Sequence, residues 1–245
     1  MFILRLATIG LVLAALVISD SRPLFCRSAV SLPQVSPLVD VAVPGANGQA
    51  SAGINRVEAL LQGVRKASFP ELSGTDIRVR QFHSKSDYFR TRFSFARYAS
   101  LQKMRFYLEV NPGVFELGAP EEGIRAIIAH ELEHVLYISR RSRIGMLSLV
   151  RLASGDYTTR FERKADLGAI GLGYGSGLIL YRQWLYQDIS ADAVRKKRRD
   201  YFSPEEIAEI QSIIQKRPET LLYWLRHVPL SIEDIHRQGI PAKLD

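Results

Sequence analysis

The residues of this chain best suited to chemistry lie between Ile127 and Ile138, which read IIAHELEHVLYI. Within that stretch His130-Glu131-Leu132-Glu133-His134 forms an H-E-x-x-H pattern framed by apolar residues. Residues four apart on an α-helix lie one above the other on the same face. His130 and His134 can therefore direct two imidazole nitrogens at one ion, with Glu131 beside them to take a proton from a bound water. A loop would not hold two ligands so closely. The flanks supply a buried helix instead, because Ile124, Ile127, Ile128, Leu132, Val135, Leu136 and Ile138 recur at helical spacing. The plainer alternative is a surface helix that carries two His and two Glu by chance. Against it, the whole chain has five histidines, and two of them fall four apart in an otherwise apolar helix. Buried there without a metal, they would need other hydrogen-bond partners. The motif thus predicts a zinc site, and a third ligand decides it.

That ligand is sought in Thr159 to Leu172, TRFERKADLGAIGL, a segment that Asp156 or Thr158 can cap and that Gly173 and Gly175 end. Glu162 and Asp166 are four apart and share a face. Glu162 has the reach and charge to complete a His₂Glu site with one position left open for water. Asp166 would then hold the far nitrogen of a ligand histidine, which fixes its tautomer. An E-x-x-x-D pair is common on solvated helices; its weight comes from the H-E-x-x-H upstream. The metzincin route to a third ligand fails, since Tyr137 stands at the Gly position and Arg140 at the third His position.

With these motifs the chain resembles the gluzincin metallopeptidases, and more narrowly the family of the CAAX prenyl proteases and bacterial periplasmic assembly proteases. The resemblance rests on FYLEVNPGVF, GIRAIIAHELEHVL and FERKADLGAIGLGYGSG, and covers Phe93 to Trp184, under half the chain. It implies that His130, His134 and Glu162 bind zinc, that Glu131 is the general base, and that Asp166 supports a ligand histidine. Gly173-Tyr174 and a following helix over Leu178 to Tyr186 also suit the family. Relatives commonly carry a late His-Pro followed by Arg near the cleft. Here His227-Val228-Pro229 and Arg237 match that pattern with one residue inserted. His227 is accordingly the candidate oxyanion stabiliser, against a capping or surface role; Tyr174 and Arg237 are further candidates.

The elements that must position these groups follow from the rest of the chain. Its 245 residues, 47% hydrophobic and 24% charged, suffice for one full core behind an N-terminal extension. Residues 1–19 have Arg5 ahead of thirteen mostly apolar residues, the length of an export signal's core rather than a membrane span. Residues 1–27 therefore read as a signal peptide or an uncleaved N-terminal anchor, 28–53 as a Pro- and Gly-containing extended linker, and 54–245 as the domain. The lone cysteine, Cys26, excludes an intramolecular disulfide and a Cys-based zinc cluster; the residues before it fit a lipoprotein signal poorly.

Within the domain, Val57, Leu60, Leu61 and Val64 form a helical stripe. Alternation predicts strands over Asp76 to Phe82, Tyr88 to Tyr98 and Met104 to Val110. The last two could form a hairpin whose free edge lies along the cleft, or be plain core strands. His83 follows the first strand as a surface histidine. Glu133 is expected at an exposed or partner-facing position. Ile144 to Ala153 reads as a short core helix, with a membrane-dipping element as the alternative. The formal charge of +8 is spread out. Its densest run, Arg195 to Arg199, is expected as a solvated connector between helices. Acidic lipid headgroups are the second reading of that run, and no nucleic-acid partner is expected, since no reader motif accompanies it. Ser203-Pro204-Glu205-Glu206 predicts a capping box, and Leu221, Leu222, Trp224 and Leu225 are expected in the core.

The expected fold is α+β and zincin-like: a small, mostly antiparallel sheet, an active-site helix and a mainly helical C-terminal half. The expected activity is zinc-dependent endopeptidase cleavage of envelope or secreted proteins, in the periplasm or anchored facing it. The alternative is a zinc-bearing envelope chaperone or binding module with little turnover.

Overall fold

In the computed structural model, residues 46–142 and 155–239 are described. They form an α+β unit in which helices predominate over one small sheet. Helix α1 spans Ala46–Ser68, so it begins inside the stretch expected to be an extended linker. Its stripe of Val57, Leu60, Leu61 and Val64 is buried as the spacing required. Pro70 then opens a single 3₁₀ turn, Pro70–Leu72. The leader, Cys26 and Ile144 to Ala153 lie outside the described residues. Among the described residues no helix is long and apolar enough to cross a membrane.

Strands β1 (Asp76–Gln81), β2 (Phe89–Phe93) and β3 (Arg105–Val110) form the sheet in the order β1-β3-β2. The expectation of a mostly antiparallel sheet is corrected: β3 runs antiparallel to β2 but parallel to β1. The reason lies in burial. In β3 Phe106, Leu108 and Val110 alternate into the core, whereas β1 has no fully buried residue, so β3 takes the centre and β1 an edge. The connection from β1 to β2 must then pass the central strand. Asn111 holds it, donating from Nδ2 to the carbonyls of Ser84 (2.7 Å) and Asp87 (3.3 Å). The aromatic alternation also does not run on to Tyr98. Ser94 accepts a hydrogen bond from the Arg97 amide and caps helix α2, Phe95–Ala99, which replaces a tight hairpin turn.

After the short α3 (Gly113–Glu116) come α4 (Glu121–Ser139), α5 (Gly155–Gly171) and α6 (Gly175–Asp188). Helix α5 begins four residues before the expected start, and Gly173, at φ +91°, supplies the left-handed turn that stops it. Helix α4 carries the H-E-x-x-H motif, and its expected apolar face is buried throughout. Helices α4 and α6 approach closely through paired glycines: Gly123 faces the backbone of Tyr181, and Gly177 faces that of Glu122. A β-carbon at Gly177 would stand 2.6 Å from the Glu122 carbonyl oxygen. Alanine favours helix by ~1 kcal/mol, but this clash is with backbone that cannot rotate away, and overpacking costs about 1–3 kcal/mol or more. Gly177→Ala is therefore expected to lower the Tm by about 4–8 °C in a thermal melt; an unchanged Tm would contradict the tight α4–α6 contact.

The C-terminal helices are α7 (Ala191–Asp200), α8 (Pro204–Lys216), α9 (Glu219–Trp224) and α10 (Ile232–Gly239). The expected connector at Arg195 to Arg199 is instead the body of α7. Ser190 caps it, Asp192 lies in its first turn, and its cations fall toward the C-terminal end, where the helix dipole favours them. Pairing of Arg195 with Asp192 and Arg198 with Glu205 offsets their mutual repulsion. The capping box of α8 forms as expected. Trp224 is fully buried, but Leu222 is exposed, contrary to its expected core position.

Candidate metal centre

Helix α4 projects His130 and His134 on one face, and helix α5 crosses it with Glu162. All three are buried. The Nε2 atoms of the two histidines are 3.1 Å apart, and Glu162 Oε2 lies 3.2 Å from that of His130 and 3.0 Å from that of His134. Three ligand atoms thus make a nearly equilateral triangle. Tetrahedral zinc, with bonds of about 2.0–2.2 Å, holds ligand atoms about 3.3 Å apart. The triangle fits a small ion with little adjustment. Two imidazole nitrogens and one carboxylate suit a transition metal better than calcium or magnesium, which take mostly oxygen.

Neighbours fix each ligand. His130 Nδ1 lies 2.7 Å from Asp166 Oδ1. The carboxylate can only accept, so Nδ1 carries the proton and Nε2 turns its lone pair into the triangle. The His134 ring stacks on Phe161, with centroids 4.4 Å apart and planes 16° apart. Asp166 is fully buried and also accepts from the Phe202 amide (3.1 Å) and from Arg182 on α6 (3.1 and 3.4 Å). Burial alone would raise the Asp166 pKa, but Arg182 and His130 outweigh it and hold it below the ordinary value. In the same way burial opposes the charge on Glu162, while His134 and His130 bring its pKa well below the usual carboxylate range. Without a metal, burial disfavours a charged His130, yet Asp166 and Glu162 push its pKa up to about 10, so a metal ion entering the triangle would displace the Nε2 proton to reach the lone pair. The centre is built to hold positive charge.

Glu131 sits one residue on from His130, buried to 6% exposure, on the wall of a cavity of about 400 Å³ that also opens on His134 and Glu162. Its backbone carbonyl accepts from the Thr91 hydroxyl at 3.2 Å, which ties β2 to this turn of α4. Its carboxylate has no hydrogen bond or ion pair among the described residues. Among the described residues β2 pairs only with β3, so its other edge is free, and Phe89 to Arg92 line the cavity. A larger cavity, about 790 Å³, lies near Asp156, Arg163 and Glu206 and contains none of the triangle.

Other candidates fall elsewhere. His227 is exposed, stacked on Tyr223 with centroids 4.6 Å apart, and does not line the cavity. A position one turn from the end of the short α9 leaves it on the surface. Tyr174 shares a hydrogen bond with Ser68 (2.9 Å), and Arg237 pairs with Asp234. Glu133 is not exposed but half-buried over Gly168, where even a β-carbon would come 2.4 Å from its carboxyl carbon. Burial raises its pKa.

Two residues had no sequence signal strong enough to name them. Arg182, fully buried beside Asp166, shows only as a cation inside the apolar run LILYRQWLY. Tyr201, just after α7, lines the cavity. Its ring centroid is 5.8 Å from that of His130, and the Arg182 guanidinium lies 4.5 Å from it. Desolvation and then Glu162 lift its phenol well above the ordinary pKa, so it stays protonated and able to donate. Comparison with protein-family models, curated proteins and solved structures finds no match to the chain.

Proposed function

We propose that this chain is a zinc-dependent endopeptidase of the gluzincin type with a zincin-like fold. The single observation that carries the reading is the buried triangle of His130, His134 and Glu162, with the free carboxylate of Glu131 on the adjoining cavity wall. Zinc held there would polarise a substrate carbonyl and lower the pKa of a bound water toward ~7. Glu131 would serve as the general base, taking a proton from an attacking water in the cavity and delivering it to the departing amine. No covalent link between enzyme and substrate forms. The free edge of β2 can pair with an extended substrate backbone and lay it across the Glu131 turn, to which Thr91 already fixes the strand. Asp166 keeps the His130 tautomer, and Phe161 keeps the His134 ring in plane.

Charge that develops on the carbonyl oxygen needs a donor. Tyr201 is the phenol on the cavity wall, with no hydrogen bond of its own to a described residue. Loss of one such donor typically costs a hundredfold or more in turnover. Tyr201→Phe is accordingly expected to lower kcat about 100-fold, with KM and zinc content nearly unchanged. Full activity in this variant would remove Tyr201 from the chemistry.

Substrates are envelope or secreted proteins if residues 1–19 direct export, which also sets the proposed location in or facing the periplasm. The test of the activity is casein hydrolysis before chelation, after chelation, and after zinc is restored. Activity lost and regained supports the peptidase. Zinc regained without cleavage favours the binding-module reading.

A further inference from the structure

The cavity above the metal triangle has a charge of its own. Its wall includes Arg90 and Arg92 on β2 and Lys196, Lys197 and Arg199 on α7. Three carboxylates meet these five cations. Arg90 and Arg92 both reach Glu109, at 2.5 and 3.2 Å; Lys197 pairs with Asp87 at 2.7 Å, and Arg199 with Asp200 at 2.8 Å. Lys196 is exposed and makes no hydrogen bond or ion pair among the described residues. Both elements are thus rich in cations. The charges of Glu131 and Glu162 balance a bound dication, so the walls decide the sign of the cleft.

The placement of α7 gives this charge its direction. As a connector the run would dissolve into solvent. As a helix, it turns Lys196, Lys197 and Arg199 to the cavity that β2 borders. An extended segment that enters beside β2 passes the cations of both elements. Charges focused in a cleft raise the local concentration of oppositely charged ligands and speed their encounter.

We propose that the cleft selects polypeptide segments with acidic side chains flanking the bound stretch, with Lys196 as a specificity-determining residue. The inference rests on the reading of this cavity as the substrate site. An exposed cation within a few ångströms of a substrate carboxylate changes affinity by about three- to tenfold at low salt, and the effect shrinks as the Debye length falls below ~10 Å.

The test uses the full wild-type chain, loaded with zinc, and fluorescent decapeptides of one length whose central peptide bond is replaced by a ketomethylene group that cannot be hydrolysed. One peptide carries Asp and Glu around a fixed centre, one carries Asn and Gln there, and one carries Lys. Fluorescence anisotropy is expected to rank them acidic, neutral, basic, with acidic over neutral by about tenfold at low salt. Adding Lys196→Glu should erase most of that difference, and 0.5 M salt should do the same. Equal or undetectable binding of the acidic and neutral peptides overturns the inference, as does an acidic preference that Lys196→Glu leaves untouched. Binding to anionic vesicles that Lys196→Glu abolishes, with no order among the peptides, would assign these cations to a membrane surface instead. The expected binding order with no casein cleavage by the zinc-loaded wild type would retain the cleft's preference and defeat the peptidase reading.

Discussion

Glu131→Gln is expected to lower peptide hydrolysis by about 10³-fold or more, while one zinc stays bound. General base catalysis commonly contributes 10²–10⁴ in rate, and no other carboxylate of the centre is free to substitute. Glu162 belongs to the triangle, and Asp166 is engaged by His130, Arg182 and the Phe202 amide. Glutamine keeps the shape of Glu131, so the fold and the Thr91 contact to its backbone persist. The control is Glu133→Gln, two residues on. Glu133 packs over Gly168 and does not line the cavity, and burial pushes its carboxyl toward the neutral form. That variant is expected to keep activity within about twofold, since isosteric changes away from the chemistry have small effects. Steady-state kinetics on the two purified variants separate them, and equal losses would remove Glu131 from its role.

Asp166→Asn is expected to have the largest effect on stability. Its carboxylate is fully buried and is the ion-pair partner of Arg182, itself 2% exposed. Neutralising one member of a buried pair strands the other, at a cost of about 3–5 kcal/mol. For a domain of this size that corresponds to a Tm lowered by roughly 10 °C or more. The His130 tautomer loses its anchor at the same time, which typically weakens metal binding 10- to 100-fold. Removing both charges, as in Asp166→Asn with Arg182→Met, should recover part of the stability but little of the metal affinity. Thermal melts and zinc competition titrations read the two effects separately. A double variant no more stable than Asp166→Asn alone would show that the pair is not what the single change breaks.

The contrast between legible and hidden parts of the centre has a physical cause. His130, His134, Glu162 and Asp166 could be named because each pair lies within one helix, where a spacing of four becomes a shared face. The meeting of those two helices was an inference from chemistry, and the structure does bring the three ligand atoms together. Arg182 and Tyr201 come from other elements, and only packing decides that they converge on Asp166 and the cavity. The glycines that bring α6 against α4, and so deliver Arg182, look like ordinary helix residues in sequence. The β1–β3 pairing was hidden for a similar reason: it joins strands separated by β2, and alternation reports a strand's faces but not its partners. His227 stood between an oxyanion role and a surface role because Pro229 nearby in sequence does not report its surroundings, and packing leaves it exposed against Tyr223.

The most direct test of the central claim is the metal content of three full-length proteins, measured alongside casein cleavage: wild type, Glu131→Gln and Glu162→Ala. The account predicts one zinc per chain in the first two, little in the third, and cleavage by wild type alone. A wild-type chain that binds no zinc under conditions where it is folded would contradict the centre, and with it the proposed peptidase.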